Sequence, residues 1–334
     1  MTASIPVSRP DGTALWQRVG GIFMDIILHL GAHRTATTTF QHYLRDQTED
    51  LAAEGVTVWG PERMRGAIVP GLFRSVAGRH GRNIARRAEG RVRMFTRMAQ
   101  AEGTRQLLVT DENLLGTCIQ NFRAGQLYPA AGERMARLGA GMGGQVRRIV
   151  LSIRSQDLWW ASAAALIVSR GHPVPDARRC EAISRHRRGW RDVITDLACA
   201  LPGAEIVVLP FESCAGRPDA TLGAALGRDA PRDASGRWLN RSLHLSRLRM
   251  GLVQQGADPD LLPDGDGRWQ PFAEEQAARL KELYADDMHW LVAGADGLAT
   301  LTEDKRSTRA GTTLPAGALT RGQDYDKGHM AQHG

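Results

Sequence analysis

The sequence predicts an α/β fold of three layers, a central parallel sheet flanked by helices. Three observations predict it. Aliphatic and β-branched runs of strand length recur at 26–30, 106–110, 146–153 and 204–211, and such runs suit strands buried on both faces. Stretches with helical spacing separate them, which calls for crossover connections and parallel pairing. Polar residues stand where the runs end, with Arg34 beyond the first, Asp111 and Glu112 after the second and Arg154 after the third. Ligands of such sheets gather at the carboxyl ends of the strands.

The first run, Ile26-Ile27-Leu28-His29-Leu30, passes through Gly31-Ala32-His33-Arg34-Thr35-Ala36 into Thr37-Thr38-Thr39. Phe40, Tyr43 and Leu44 then start a helical spacing that predicts a helix over 37–50. Residues 55–61 read as a short strand closed by a turn. The stretch 74–105 is dense in arginine, with Ile84, Ala88, Val92 and Phe95 near helical spacing. Its polar side is either a solvated face or a basic wall facing an acidic acceptor. After the strands over 106–110 and 146–153 come helices over 159–170 and 182–201. The strand over 204–211 follows, then a late helix over 271–292 with Phe272, Ala277, Leu280, Leu283, Tyr284 and Leu291 near one face. A single domain over 24–301 holds these elements. Residues 1–23 read as a flexible arm, or as the product of a start assigned upstream of Met24. Residues 302–334, rich in Thr, Gly, Asp and Lys, read as a disordered tail.

The 334 residues, 42% of them hydrophobic, are enough for a proper core. Lys and Arg number 43 against 36 Asp and Glu, a net charge of +7. Most of the excess is arginine, which suits an anionic ligand or a polyanionic acceptor and fits a GC-rich coding bias equally well. A nucleic-acid binder would rest on charge alone, without a recognisable module, and no nucleic-acid partner is expected. No apolar run is long enough to span a bilayer, and residues 1–23 lack the apolar stretch of a secretory signal. Cys118, Cys180, Cys199 and Cys214 have no metal-ligand spacing. They read as reduced core thiols of a cytoplasmic protein, and no metal is expected.

Strand, small-residue loop and helix N-terminus in that order make an anion site. The N–H groups of Thr35 to Thr39 point into the loop, and the helix dipole adds positive potential. Arg34 adds a full charge and a planar fork suited to phosphate or sulfate oxygens. A second motif runs Arg154-Ser155-Gln156-Asp157-Leu158-Trp159-Trp160-Ala161-Ser162. Arg154 ends a strand, Asp157 lies in the first turn of the next helix and Ser162 stands two turns in. A guanidinium and a hydroxyl so spaced can hold one phosphate from two sides. Trp159 and Trp160 read either as stacking partners for an adenine or a sugar or as core. His29, inside the strand, reads as a core histidine.

Together these residues resemble the sulfotransferases that use 3′-phosphoadenosine 5′-phosphosulfate (PAPS). The first loop of that family usually reads Lys/Arg-Ser/Thr-Gly-Thr-Thr and binds the 5′-phosphosulfate. Its second motif, an Arg, often an Asp three residues on and a Ser eight residues on, binds the 3′-phosphate. Val109-Thr110-Asp111-Glu112-Asn113-Leu114, Val208-Leu209-Pro210-Phe211-Glu212, Leu239-Asn240-Arg241-Ser242-Leu243 and Leu283-Tyr284-Ala285-Asp286-Asp287 are similar to later family segments. The resemblance implies a P-loop NTPase-like sulfotransferase fold over roughly 25–295. It implies that Arg34, Thr35, Ala36, Thr37, Thr38, Thr39, Arg154 and Ser162 bind PAPS, and that Arg237, Asn240, Arg241 and Ser242 close over the nucleotide. Arg34 replaces the commoner lysine. Ala36 replaces a glycine that would permit positive φ and close approach to the anion, so either a reshaped loop or weaker donor binding is expected.

The implied activity is transfer of a sulfuryl group from PAPS to a hydroxyl or amine of a small-molecule or saccharide acceptor, and arginine richness favours an acidic saccharide. Arg34 would stabilise the leaving phosphate. Glu112 is the first candidate for the base, Asp111 the second and His33 the rival. A partly desolvated carboxylate at that strand end is expected to have a raised pKa, while Asp111 reads equally well as a helix cap. Two other readings compete. A P-loop kinase or NTPase needs Gly-Lys-Ser/Thr, which this loop lacks. A non-catalytic nucleotide-binding relative would carry a loop decayed at Ala36.

Overall fold

The computed structural model describes residues 5–8, 14–17, 24–74, 78–233, 235–237 and 239–302, with the first two stretches and residues 78–79 given by backbone alone. In the predicted N-terminal arm, β1 (Ile5–Ser8) and β2 (Ala14–Gln17) pair antiparallel. Beyond Thr302 the predicted tail lies outside the described residues.

The centre is one sheet of six parallel strands: β3 (Asp25–His29), β4 (Val56–Trp59), β5 (Gln106–Thr110), β6 (Val146–Ile153), β7 (Glu205–Pro210) and β8 (Thr300–Leu301). Their spatial order is β4-β5-β3-β6-β7-β8. Alternate residues serve opposite faces. Ile26, Leu28, Leu107, Val109, Ile149 and Leu151 pack into a large core on one side. Ile27, Leu108, Val150 and Leu209 pack with Phe40, Tyr43 and Leu44 on the other. Both sets are buried, so the strands carry unbroken apolar runs and helices cover both faces.

After β3 the chain moves out to β4 and back through β5. After β6 it moves the other way to β7. The crevice between the carboxyl ends of β3 and β6 is therefore the topological switch point, where open α/β sheets bind ligands.

Several boundaries differ from expectation. The helix predicted over 37–50 breaks at Gln47 into Thr37–Asp46 and Thr48–Ala53. Pro61 opens a helical turn instead of closing a strand. The predicted 159–170 helix starts earlier, as Gln156–Ser169, and keeps Asp157 in its first turn. The helix predicted over 182–201 is two helices, Ala177–Arg185 and Trp190–Ala200. A distant carboxylate decides that break. Asp287 accepts from the N–H groups of Trp190 (2.7 Å) and Arg191 (3.2 Å), capping the second helix, and a Cβ on Gly189 would meet its oxygens at 2.6 Å. Trp190 in turn donates its indole N–H to the Arg154 carbonyl at 2.8 Å, so this cap helps to hold the end of β6. Cys118 and Cys180 are buried, but Cys199 is exposed and so is no core thiol. Among the described residues no helix is long and apolar enough to cross a membrane.

Burial pushes the Asp287 carboxyl up to about 6 from an ordinary 3.8. The native chain then holds this proton more tightly than the unfolded chain does. The stability tied to the group is fully present below about 4 and is lost as pH rises through about 6. Relative to Asp287→Asn, the wild-type unfolding free energy is expected to fall by up to about 3 kcal/mol over that window, read by urea unfolding at a series of pH values.

Candidate functional site

The loop after β3 extends the sheet before it turns. Leu30 donates to the Val150 carbonyl at 2.8 Å and Ala32 to the Ser152 carbonyl at 3.1 Å. The chain then bends at Thr35, whose N–H and hydroxyl both reach the Ala32 carbonyl, at 3.2 and 2.6 Å. Gly31 is required by space, since a Cβ there would stand 2.5 Å from the Thr37 hydroxyl and 2.8 Å from the His29 ring. Arg34 and Ala36 adopt left-handed backbone, with φ of 66° and 62°. Ala36 is the N-cap of the helix Thr37–Asp46, and no side chain caps that helix. The first-turn N–H groups, which no helix can satisfy internally, therefore remain for an anion.

Ala36 thus takes up the positive φ that glycine would supply, at a cost of roughly 1–2 kcal/mol. Ala36→Gly is expected to raise stability by about 0.5–1 kcal/mol, because relief of strain outweighs the added freedom of the unfolded chain. Chemical denaturation measures this, and a destabilised variant would contradict it.

Three distant segments meet at Arg34. Its Nε donates to the Ser162 hydroxyl at 2.8 Å and an Nη to the Ser242 hydroxyl at 3.1 Å, and those two oxygens lie 2.5 Å apart. Arg154 donates to the Arg34 carbonyl at 3.0 Å and lies 4.6 Å over the Phe211 ring, while its buried Nε has no partner. Burial lowers the pKa of both arginines, that of Arg154 to about 10. Among the described residues neither forms an ion pair with a carboxylate. The expected pairing of Arg154 with Ser162 is redistributed, because Ser162 contacts Arg34. The segment around Ser242 also covers the hydroxyl cluster. The Asn240 amide donates to Thr38 at 2.9 Å and the Leu239 N–H to Thr39 at 3.1 Å. Arg237 pairs with Asp46 at 3.1 Å, away from the loop.

The candidate bases are held differently from expectation. Asp111 is 1% exposed, caps the turn Glu112–Leu114 through Asn113 N–H at 2.9 Å, and takes both Arg65 Nε (3.1 Å) and Nη2 (2.5 Å). Burial raises its pKa, but it is locked in a structural ion pair. Glu112 faces the crevice, and accepts from Arg65 at 2.9 Å and from Gln41 at 3.3 Å. Burial pushes its carboxyl up, yet its own backbone N–H, Arg65 and His33 hold it below the ordinary glutamate value. The raised pKa expected for Glu112 is therefore absent, because Arg65 compensates for its desolvation. The hydroxyl of Tyr128 lies 2.9 Å from both the backbone N–H and Nδ1 of His33. In the orientation that pairs both ends of its amide, Asn113 donates to His33 Nε2 at 2.9 Å and accepts from Arg65. Burial lowers the pKa of His33.

Trp159 and Trp160 are not stacking platforms. Both are buried and meet edge to face at 4.9 Å. His29 is core as expected, bonded to Thr110 at 2.9 Å and pushed by burial down to about 4.

These residues border a cleft of about 1200 Å³, mouth included. Arg34, Ala36, Thr37, Thr38, Arg154, Arg241, Ser242, His33 and Glu112 line it, whereas Thr35, Thr39, Asp111 and Ser162 do not. Arg65, Arg170 and Arg268 also line it. They are single arginines in an arginine-rich chain, and only the fold distinguishes them. Glu112 is the one acid among the lining residues. Six arginines against the single carboxylate of Glu112 make the cleft cationic. No family model, curated protein or solved structure matches this chain.

Proposed function

We propose that the chain is a sulfotransferase that moves a sulfuryl group from PAPS to an acceptor hydroxyl or amine. One observation carries this reading. Two desolvated arginines that form no ion pair among the described residues, Arg34 and Arg154, border the same crevice as an uncapped helix N-terminus. Burying such cations is costly, and a doubly anionic ligand offsets the cost. A nucleotide with phosphate at two ends fits that pattern. The missing Gly-Lys-Ser/Thr step argues against ATP with Mg²⁺.

On this reading the acceptor oxygen forms a bond to sulfur as the bond from sulfur to the 5′-phosphate oxygen breaks. The products are the sulfated acceptor and 3′-phosphoadenosine 5′-phosphate. Arg34 and the N–H groups at the start of Thr37–Asp46 neutralise charge on the leaving phosphate. Glu112, ionised at neutral pH, takes the acceptor proton. Arg154 holds the 3′-phosphate, and Asn240 and Ser242 keep the covering segment over the loop.

Thermal denaturation tests the reading. The desulfated product at a hundredfold excess over its Kd is expected to add about 2.7 kcal/mol, a rise in Tm of roughly 5 °C, without metal. A response to Mg-ATP alone would overturn the assignment.

A further inference from the structure

The helix Gly78–Ala101 carries a charge pattern that the cleft does not use. Ala88, Val92, Thr96 and Ala99 form its buried side. Flanking that side, Arg82, Arg86, Arg93 and Arg97 are exposed. Their spacings of four, seven and four residues, at about 100° per residue, bring all four within a sector of roughly 60°. The stripe extends about 22 Å along the axis. Arg93 pairs with Glu89 at 2.7 Å, with both side chains over a third exposed, a surface pair that leaves most of the guanidinium donors in water. Among the described residues Arg82, Arg86 and Arg97 pair with no carboxylate. At the edge of the helix the Arg63 guanidinium lies 6.0 Å from the Phe95 ring and 5.0 Å from the Trp59 ring. Two residues further on, Arg65 lines the cleft.

We propose that this face binds a linear polyanion, an acidic polysaccharide with carboxylate or sulfate groups repeated along its chain. The planar forks suit either group, and a row of charges on a straight helix matches a row of charges on an extended chain. A bilayer is the poorer fit, because the apolar side that insertion needs is already buried in the fold. Nucleic-acid bases would need exposed rings to stack on, and Phe95, the one aromatic residue between 80 and 101, is partly buried beneath Arg63. Met94 and Met98, 49% and 46% exposed beside the stripe, can cover the apolar edges of sugar rings. This surface does not depend on PAPS binding in the cleft.

The test is anisotropy of fluorescein-labelled heparin titrated with the full chain over a range of salt. Changing Arg82, Arg86, Arg93 and Arg97 together to Gln is expected to weaken binding roughly hundredfold near 0.1 M salt and to flatten the dependence of log Kd on log salt. The matching Lys variant should stay within about tenfold of wild type, since charge supplies most of the attraction. Both variants should keep the wild-type Tm and the wild-type affinity for 3′-phosphoadenosine 5′-phosphate. Equal heparin binding by the Gln variant, no binding by wild type, or tighter wild-type binding to duplex DNA or phosphatidylserine vesicles would each overturn the proposal. Failure of every form to bind the nucleotide, with the heparin difference intact, would count against the cleft reading alone.

Discussion

Arg34→Met is expected to reduce kcat by about 10²–10³-fold and to weaken nucleotide binding, while Tm holds or rises slightly. The substitution keeps an unbranched side chain in place and removes the charge. Arg34 is desolvated and bonded only to neutral groups, the hydroxyls of Ser162 and Ser242. A partly buried cation without a counter-ion burdens the free protein. On the proposed reading its worth lies in meeting charge that develops on a leaving phosphate. Loss of turnover at preserved stability separates that role from a packing role. Arg34→Lys should recover part of the rate, because it keeps the charge but cannot reach both serines as a planar fork. Turnover within about threefold of wild type in the Met variant would contradict the assignment.

Glu112→Gln should lower kcat by about 10²–10⁴-fold with little change in nucleotide affinity. Gln retains an oxygen for Arg65 and loses the ability to take a proton. The pH profile sharpens the test. A base works in its ionised form, so the rate falls as pH drops through its pKa. Glu112 is held below the ordinary glutamate value of 4.5, so wild-type activity should persist through that value and fail only below it. His33→Asn should have a small effect, because Asn113 occupies the Nε2 lone pair that a base would use. Unchanged turnover in Glu112→Gln, with collapse in His33→Asn, would transfer the role.

Helix boundaries were legible where local signals set them and missed where a distant group did. The apolar stripe of Ala88 and Val92 predicts the helix Gly78–Ala101, since burial of one face is written in the residues that form it. The break between Arg185 and Trp190 was hidden, because its cause is the carboxylate of Asp287, about a hundred residues downstream. The roles of Asp111 and Glu112 divided for the same reason. Both follow the same strand and both meet Arg65, and burial separates them, the Asp111 side chain being 1% exposed and that of Glu112 22%.

Residue order by itself determined the parallel sheet, the strand that leads into the anion loop, and the position of Arg34 and Arg154 beyond strand ends. Each depends on a periodicity or on neighbours a few residues apart. Tertiary structure alone decided that Arg34 would join Ser162 and Ser242, that Ala36 would accept left-handed backbone, and that Arg65, Arg170 and Arg268 would share one cleft. The crossovers that place β5 and β6 on either side of β3 bring these groups together from far apart in sequence. Contacts of that range depend on strand order, to which a local pattern is blind.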